Sequence, residues 1–229
     1  MNKLLLMTVC LMLMTTAALA QSSSGSDKRA EVFIGYSNLQ AEGVPDRNDP
    51  SNVFNSNFFD RRKGLHGVDG SLSWFFNSGV GLKGDVSFHR NEDSTAVTNG
   101  RDSVEHRVTY FMGGPVLKLR NSSRIEPFVH ALFGGANTHF NVESVRNVTN
   151  GTVTSSFDTS TTDFAMGLGG GVNVRLGDKF SLRLVQVDWA PVFLRDRSIN
   201  VLGSAGAIQP VTLEGQRQDN IRLSVGIIF

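Results

Sequence analysis

The stretch Val80-Gly81-Leu82-Lys83-Gly84-Asp85-Val86-Ser87-Phe88-His89 alternates without a slip, with Val80, Leu82, Val86 and Phe88 on one side and Lys83, Asp85, Ser87 and His89 on the other. A period of two is that of a β-strand with two different surroundings. The split recurs with Phe164, Met166, Leu168, Val172, Val174 and Leu176 set against Asp163, Ala165, Gly167, Gly169, Gly171, Asn173 and Arg175. It recurs at the C-terminus, where Ile221, Leu223, Val225, Ile227 and Phe229 oppose Arg222, Ser224, Gly226 and Ile228. Weaker copies have as apolar members Val32, Ile34 and Tyr36; Val68, Leu72, Trp74 and Phe76; Val104, Val108, Tyr110 and Met112; Val129, Ala131 and Phe133; and Val185, Val187 and Trp189. Eight strands are expected, centred near residues 33, 71, 84, 110, 131, 170, 185 and 224. No helical period of any length appears between them.

The connections constrain the topology further. Asn77-Ser78-Gly79, Asn121-Ser122-Ser123 and Gly177-Asp178-Lys179 have the composition of tight hairpin turns. The other four connections, roughly 39–64, 90–103, 141–161 and 195–217, are long and polar and are expected to be loops. Long and short alternate strictly. Such alternation, with an even strand count, is the layout of an outer-membrane barrel, with long loops outside and short turns and both termini in the periplasm. Pro115, Pro127 and Pro191 should lie at strand ends or bulges, because proline cannot donate to the ladder. Pro115, after Gly113-Gly114, is expected to break or bend the fourth strand.

The N-terminus predicts export. Lys3 precedes the uncharged run Leu4–Met14, and Ala18-Leu19-Ala20 leads into the polar stretch 21–26, which together form a secretory signal peptide over residues 1–20. The apolar run is too short to span a bilayer as a helix. Residues 21–29 form a short linker, and 30–229 the barrel domain. Cys10 is the sole cysteine and leaves with the leader, so no disulfide or thiol chemistry is expected in the mature chain. With 22 basic and 21 acidic residues the chain lacks the basic excess of a nucleic-acid binder. No later stretch is long and apolar enough for a membrane helix, so a membrane could be crossed only by a closed barrel.

Alternation alone does not say whether the apolar face meets lipid or a soluble core, as in a lipocalin. Three features favour lipid outside. The opposite face carries charges of both signs: Glu31, Asp69, Lys83, Asp85, Glu105, Arg107, Lys118, Asp163, Arg175, Asp188 and Arg222. In a narrow lumen these would pair with one another. Gly35, Gly81, Gly167, Gly169, Gly171 and Gly226 fall on that inner face, where room is least. Tyr36, Trp74, Phe76, Tyr110, Trp189 and Phe229 stand near the ends of apolar faces, as interfacial girdles would.

On these features, and on the ending Ile221-Arg222-Leu223-Ser224-Val225-Gly226-Ile227-Ile228-Phe229, the chain resembles the small outer-membrane β-barrel family typified by the transmembrane domain of outer membrane protein A. The resemblance covers residues 30–229. It implies an all-β, eight-stranded antiparallel up-and-down transmembrane β-barrel in the outer membrane. It also implies contact with outer-membrane lipid and lipopolysaccharide, and recognition of the last strand, through Phe229, by the barrel-assembly machinery. No peptidoglycan-binding domain follows Phe229 in this sequence, so wall anchoring is not carried over.

No catalytic, cofactor-binding or metal-binding residue is assigned. Asp85, Glu105, Arg107, Asp188 and Arg222 could be imagined as an acid–base set, but an ion-pair network filling a narrow lumen is the expected role. His66, His89, His106, His130 and His139 are scattered without metal-ligand spacing. His106 neighbours Glu105, but no serine nucleophile motif accompanies them. Gly167-Leu168-Gly169-Gly170-Gly171 lacks the Lys-Ser/Thr of a phosphate loop and is expected to be strand packing. The expected function is therefore non-enzymatic. It is a monomeric surface protein whose four loops meet an unidentified ligand; the alternatives are a narrow pore or transporter and, third, a lipid-modifying enzyme.

Overall fold

The computed structural model describes residues 29–42, 62–97, 99–120, 123–148, 151–177, 179–202, 208–213 and 215–229. The leader at 1–20, most of the linker and the greater part of the segment 39–64 lie outside these residues. The strands are β1 (Ala30–Glu42), β2 (Arg62–Phe75), β3 (Val80–Val97), β4 (Gly100–Lys118), β5 (Ile125–Val148), β6 (Gly151–Arg175), β7 (Ser181–Trp189), β8 (Val192–Phe193), β9 (Arg197–Leu202), β10 (Ile208–Leu213), β11 (Arg217–Gln218) and β12 (Ile221–Ile228).

Every neighbouring pair is antiparallel, and the order β6-β5-β4-β3-β2-β1-β12-β7 closes because β7 also pairs with β6. An eight-stranded ring results. The seam is complete at the chain end, where Phe229 donates its N–H to the Val32 carbonyl at 2.9 Å and Val32 returns one at 3.3 Å. Closure leaves no sheet edge within the membrane, the condition for strands to cross one.

A lipid belt surrounds the ring. Ile34, Leu72, Trp74, Leu82, Phe88, Phe111, Leu117, Val129, Phe133, Phe164, Leu184, Leu223 and Ile227 all point outward and are exposed. At the lower end the strands are joined by tight turns. In the first of these, Asn77 Oδ1 accepts from the N–H groups of Gly79 and Val80 at 3.0 and 2.7 Å. By the usual layout of such barrels this end faces the periplasm.

Above the belt the strands do not stop, which corrects the expectation of long loops. Residues 90–97 and 100–103 are the continued ends of β3 and β4, paired up to Val97 and Gly100. Asn99, with φ of 59°, takes the left-handed conformation that their tight turn needs. Residues 141–148 and 151–161 belong to β5 and β6 and are paired up to Val148 and Gly151. The segment 195–217 contains the β9–β10 hairpin. Water lies on both faces there, so the apolar alternation is lost, while Thr, Ser and Val still suit extended chain.

The three prolines are accommodated differently. Pro115 stays in β4 opposite Leu82, but pairing with β5 skips from Gly113–Phe133 to Val116–His130 without a change of register. The ladder is interrupted for two residues; the strand is not broken. Pro127 pairs with Val172 inside the β5–β6 ladder. Pro191 separates β7 from β8, and Asp219-Asn220 separate β11 from β12. Ile221–Trp189 and Gln218–Val192 keep one register across the gap. The seventh and eighth staves are thus interrupted at the same height, with Ala190 donating to the Asn220 carbonyl at 2.8 Å.

Candidate functional site

The lumen is filled in layers. At the periplasmic end Lys118 Nζ lies 2.8 Å from Glu31 and 2.7 Å from Glu126, Arg120 is 3.0 Å from Glu31, and Arg175 is 2.8 Å from Glu126. Buried Phe75, Val116 and Phe128 pack among them. Arg183 comes next, its guanidinium stacked 4.0 Å from the Phe33 ring and 4.5 Å from that of Phe128. It donates to Asn173 at 3.1 Å and Gln186 at 2.6 Å.

The middle layer is built around Arg222, a fully buried side chain. Its Nε and Nη2 donate to Asp188 Oδ2 at 2.9 and 2.7 Å, and its Nη1 to Asp85 Oδ1 at 2.6 Å and Ser87 Oγ at 2.9 Å. Lys83 sits 3.0 Å from Asp85, His130 2.9 Å from Asp188, and Gln186 donates to Asp188 at 2.7 Å. Ser224 donates to Asp69 at 2.8 Å and its hydroxyl lies 3.0 Å from that of Ser37, and His89 is within 2.9 Å of Ser37. The guanidinium converges two donors on one Asp188 oxygen and turns a third to Asp85, and such charge-assisted hydrogen bonds offset the cost of holding these charges out of water.

Above that, Leu39, Ala41, Leu65, Val108, Tyr110, Met112, Leu132, Ala136, Ala165, Ala190 and Val192 form a buried apolar layer. Tyr110 donates to the Ala190 carbonyl at 3.3 Å and accepts from Asn220 at 2.8 Å, which ties the interrupted staves to the interior.

Of the charged residues expected inside, Glu31, Asp69, Lys83, Asp85, Lys118, Asp163, Asp188 and Arg222 are buried, and Arg175 lies half-buried at the periplasmic rim. Glu105 and Arg107 are not in the lumen. They stand on the outer face of β4 above the belt, where Arg107 donates to both oxygens of Glu105, with Arg90 beside them. Those hydrogen bonds hold the Glu105 carboxyl below the usual carboxylate range. The part of β4 from Val104 to Met112 is inverted relative to the expectation. Val108, Tyr110 and Met112 point inward and Phe111 outward, so Tyr110 is no girdle residue. Lys118, sharing their parity, fixes the register: if Lys118 faces the lumen, so do Met112 and Tyr110. The expected girdle positions Tyr36, Trp74, Phe76 and Trp189 are exposed.

Arg183, Glu126, Arg120 and Gln186 were not singled out from the sequence. A β-bulge at Leu184 and Val185, where pairing jumps from Val172–Val185 to Asn173–Arg183, shifts the alternation and hides Arg183. Among the described residues no group of three or more His, Cys, Asp or Glu side chains is placed to hold a metal.

The model of the outer membrane protein beta-barrel domain family matches residues 6–187. The chain belongs to that family. No curated protein matches it. Among solved structures, the outer membrane protein beta-barrel chain is similar to Ail, the attachment invasion locus protein of Yersinia pestis, in complex with the heparin analogue sucrose octasulfate. That match has 14% identity over 87% of this chain and 97% of that one, with a TM-score of 0.46. Neisserial surface protein A matches at 9% identity over 89% and 98%, with a TM-score of 0.43. The N-terminal β-barrel domain of Pseudomonas aeruginosa OprF matches at 8% identity over 88% and 98%, with a TM-score of 0.28.

The other feature of the outer membrane protein beta-barrel is a wall. From Phe133, the last large apolar residue that β5 contributes to the belt, roughly 15 residues remain to the hairpin tip. That is on the order of 50 Å of strand, or about 38 Å of height at a tilt near 40°. Its outer face is polar, with Arg90, Glu92, Glu105, Arg107, His139 and Asp158 in neighbouring cross-strand rows.

Proposed function

We propose that this protein is a closed, non-conducting outer-membrane barrel that acts through the β-structure it raises above the cell surface. The observation that carries this reading is the filled lumen: Arg222 bridges Asp85 and Asp188 across the barrel at no solvent exposure, under an apolar layer. An eight-stranded barrel has an interior that side chains can fill. The wall of β3–β6 is then the surface that meets lipopolysaccharide and an extracellular ligand, and Phe229 on the closing strand the mark read by the assembly machinery. Asp188 Oδ2 accepts from Arg222 and Gln186 in a fully buried layer, which supports a structural role rather than acid–base catalysis.

Ion conductance of the refolded protein in a planar bilayer tests this. A silent bilayer, with folding verified by the altered gel mobility of the unheated protein, is the expected result. Steady channels whose conductance changes when Lys83 or Arg222 is neutralised would instead mean a pore.

A further inference from the structure

The lower end of the lipid belt carries a groove. It lies on the outside of the ring, between the β6–β7 turn and the end of β12, with a volume of about 360 Å³. Leu182 forms its floor. Paired with Ile227 on one side and Val174 on the other, it is half-buried, while Leu176, Phe180 and Ile227 stand exposed around it. The Phe180 carbonyl accepts from the N–H groups of Leu176 and Gly177 at 3.1 and 3.3 Å, which fixes the turn. The Phe180 ring meets that of Phe229 edge to face at 5.5 Å, which steadies the wall on the β12 side. At Gly177 an added Cβ would meet nothing within 4 Å, so the mouth of the groove is open.

Water is a poor occupant. The space equals that of about a dozen molecules in the liquid, and its wall is almost wholly apolar. A water there would find too few polar partners to replace those it leaves. The groove is instead continuous with the belt through Leu182 and Ile227, so hydrocarbon reaches it without crossing a polar surface.

Charge at the rim narrows the choice of lipid. Lys118, Arg120 and Arg175 are engaged with Glu31 and Glu126 in the periplasmic mouth. Outside that network Arg124 and Lys179 stand exposed on the two turns that border the groove, and Asp178 is the one acid in those turns. Lys179 immediately precedes Phe180. Arg124 is held one strand away, its carbonyl accepting from the N–H of Arg175, the residue before Leu176, at 2.8 Å. With Arg29, which is also exposed, this end carries six bases and three acids, in a chain with 22 and 21 overall. The barrel is therefore polarised, positive towards the periplasm. Basic residues at a membrane surface attract anionic lipid.

We propose that the groove holds one acyl chain of a phosphatidylglycerol molecule from the periplasmic leaflet, with its phosphate between Arg124 and Lys179. The net negative headgroup suits this rim, whereas a zwitterionic one would bring its own cation to a surface already positive. The site lies at the opposite end of the molecule from the extracellular wall and does not depend on what that wall binds.

The test refolds the full mature barrel into vesicles of equal parts phosphatidylcholine and phosphatidylglycerol, extracts it in mild detergent and weighs it by native mass spectrometry. Wild type should retain one phosphatidylglycerol. Leu182→Trp fills the groove and should lower the lipid-bound fraction at least about tenfold. Leu223→Trp, on the belt away from the groove, should leave it unchanged. Arg124→Gln and Lys179→Gln should each lower the preference for phosphatidylglycerol over phosphatidylcholine about fivefold. Gel mobility of the unheated protein confirms that each variant is a folded barrel. Wild type that retains no lipid overturns the proposal, as does Leu182→Trp that retains it undiminished or Leu223→Trp that loses it equally. Equal retention of the two lipids by wild type overturns the assignment of the headgroup to Arg124 and Lys179.

Discussion

Replacing Arg222 by methionine is the sharpest probe of the filled lumen. The side chain is fully buried and donates two hydrogen bonds to Asp188, one to Asp85 and one to Ser87. Removing it leaves two buried carboxylates with a third buried acid, Asp69, in the same layer. Breaking a buried ion pair by deleting one partner costs about 3–5 kcal/mol. Lys83 still stands 3.0 Å from Asp85 and His130 2.9 Å from Asp188, which places the expected loss near the lower end, about 3 kcal/mol. The double variant Asp188→Asn/Arg222→Met removes one charge of each sign and keeps the Lys83–Asp85 pair. It should recover at least about half of the loss, because a neutral amide is far cheaper to bury than an unpaired carboxylate. The assay is urea unfolding of protein refolded into lipid vesicles, followed by the emission of Trp74 and Trp189 and by gel mobility. A single variant within about 0.5 kcal/mol of wild type, the range of ordinary surface changes, refutes the argument. So does a double variant no more stable than the single.

Two further outcomes follow from other parts of the molecule. His106 sits on β4 above the membrane, its ring 6.1 Å from that of Phe140, and burial lowers its pKa to about 4. The unfolded chain takes up this proton near pH 6.5 and the folded chain only near 4, so the wall should weaken by about 1–3 kcal/mol as pH falls through that window. Amide protection factors of β4 and β5 at pH 7 and 4.5 should show the loss, and His106→Gln should flatten it; an unchanged dependence would refute the assignment. At Gly114 an added Cβ would strike the Ala131 carbonyl, whereas at Gly84 it meets nothing within 4 Å. Gly114→Ala should therefore lower stability by about 1–3 kcal/mol, and Gly84→Ala by less than about 0.5 kcal/mol, in thermal melts of the folded barrel. Equal melting points for the two would contradict the close approach of β4 to β5.

The sequence is most legible where the two faces of a strand differ most. In β3, β6 and β12, lipid meets one face and a packed polar lumen the other, and the alternation of Val86, Phe88 or Leu223 with Asp85, Ser87 or Arg222 reports both. β4 misleads because its upper half changes surroundings. Val108, Tyr110 and Met112 line the apolar upper lumen, while Glu105 and Arg107 face water outside, so the apolar residues there are the inner ones. The wall escapes notice for a related reason. With water on both sides of residues 91–97 and 141–161, nothing selects a period of two, and Ser- and Thr-rich strands read as loops. Of the central site, Asp85, Asp188 and Arg222 are visible as inward positions, but their meeting is a fact of register. Arg183 is concealed because the bulge at Leu184 and Val185 adds one residue to the count.

Arg222 belongs to the strand that closes the ring, while the acids it neutralises belong to β3 and β7. Until β12 docks, the half-built barrel carries Asp85 and Asp188 without their principal counter-charge. Sealing of the wall and balancing of the interior are consequently one event. An incomplete barrel lacks both its last hydrogen-bonded seam and the cation that makes its inside tolerable, so partly closed forms are disfavoured twice over. The last stave to arrive is also the bolt.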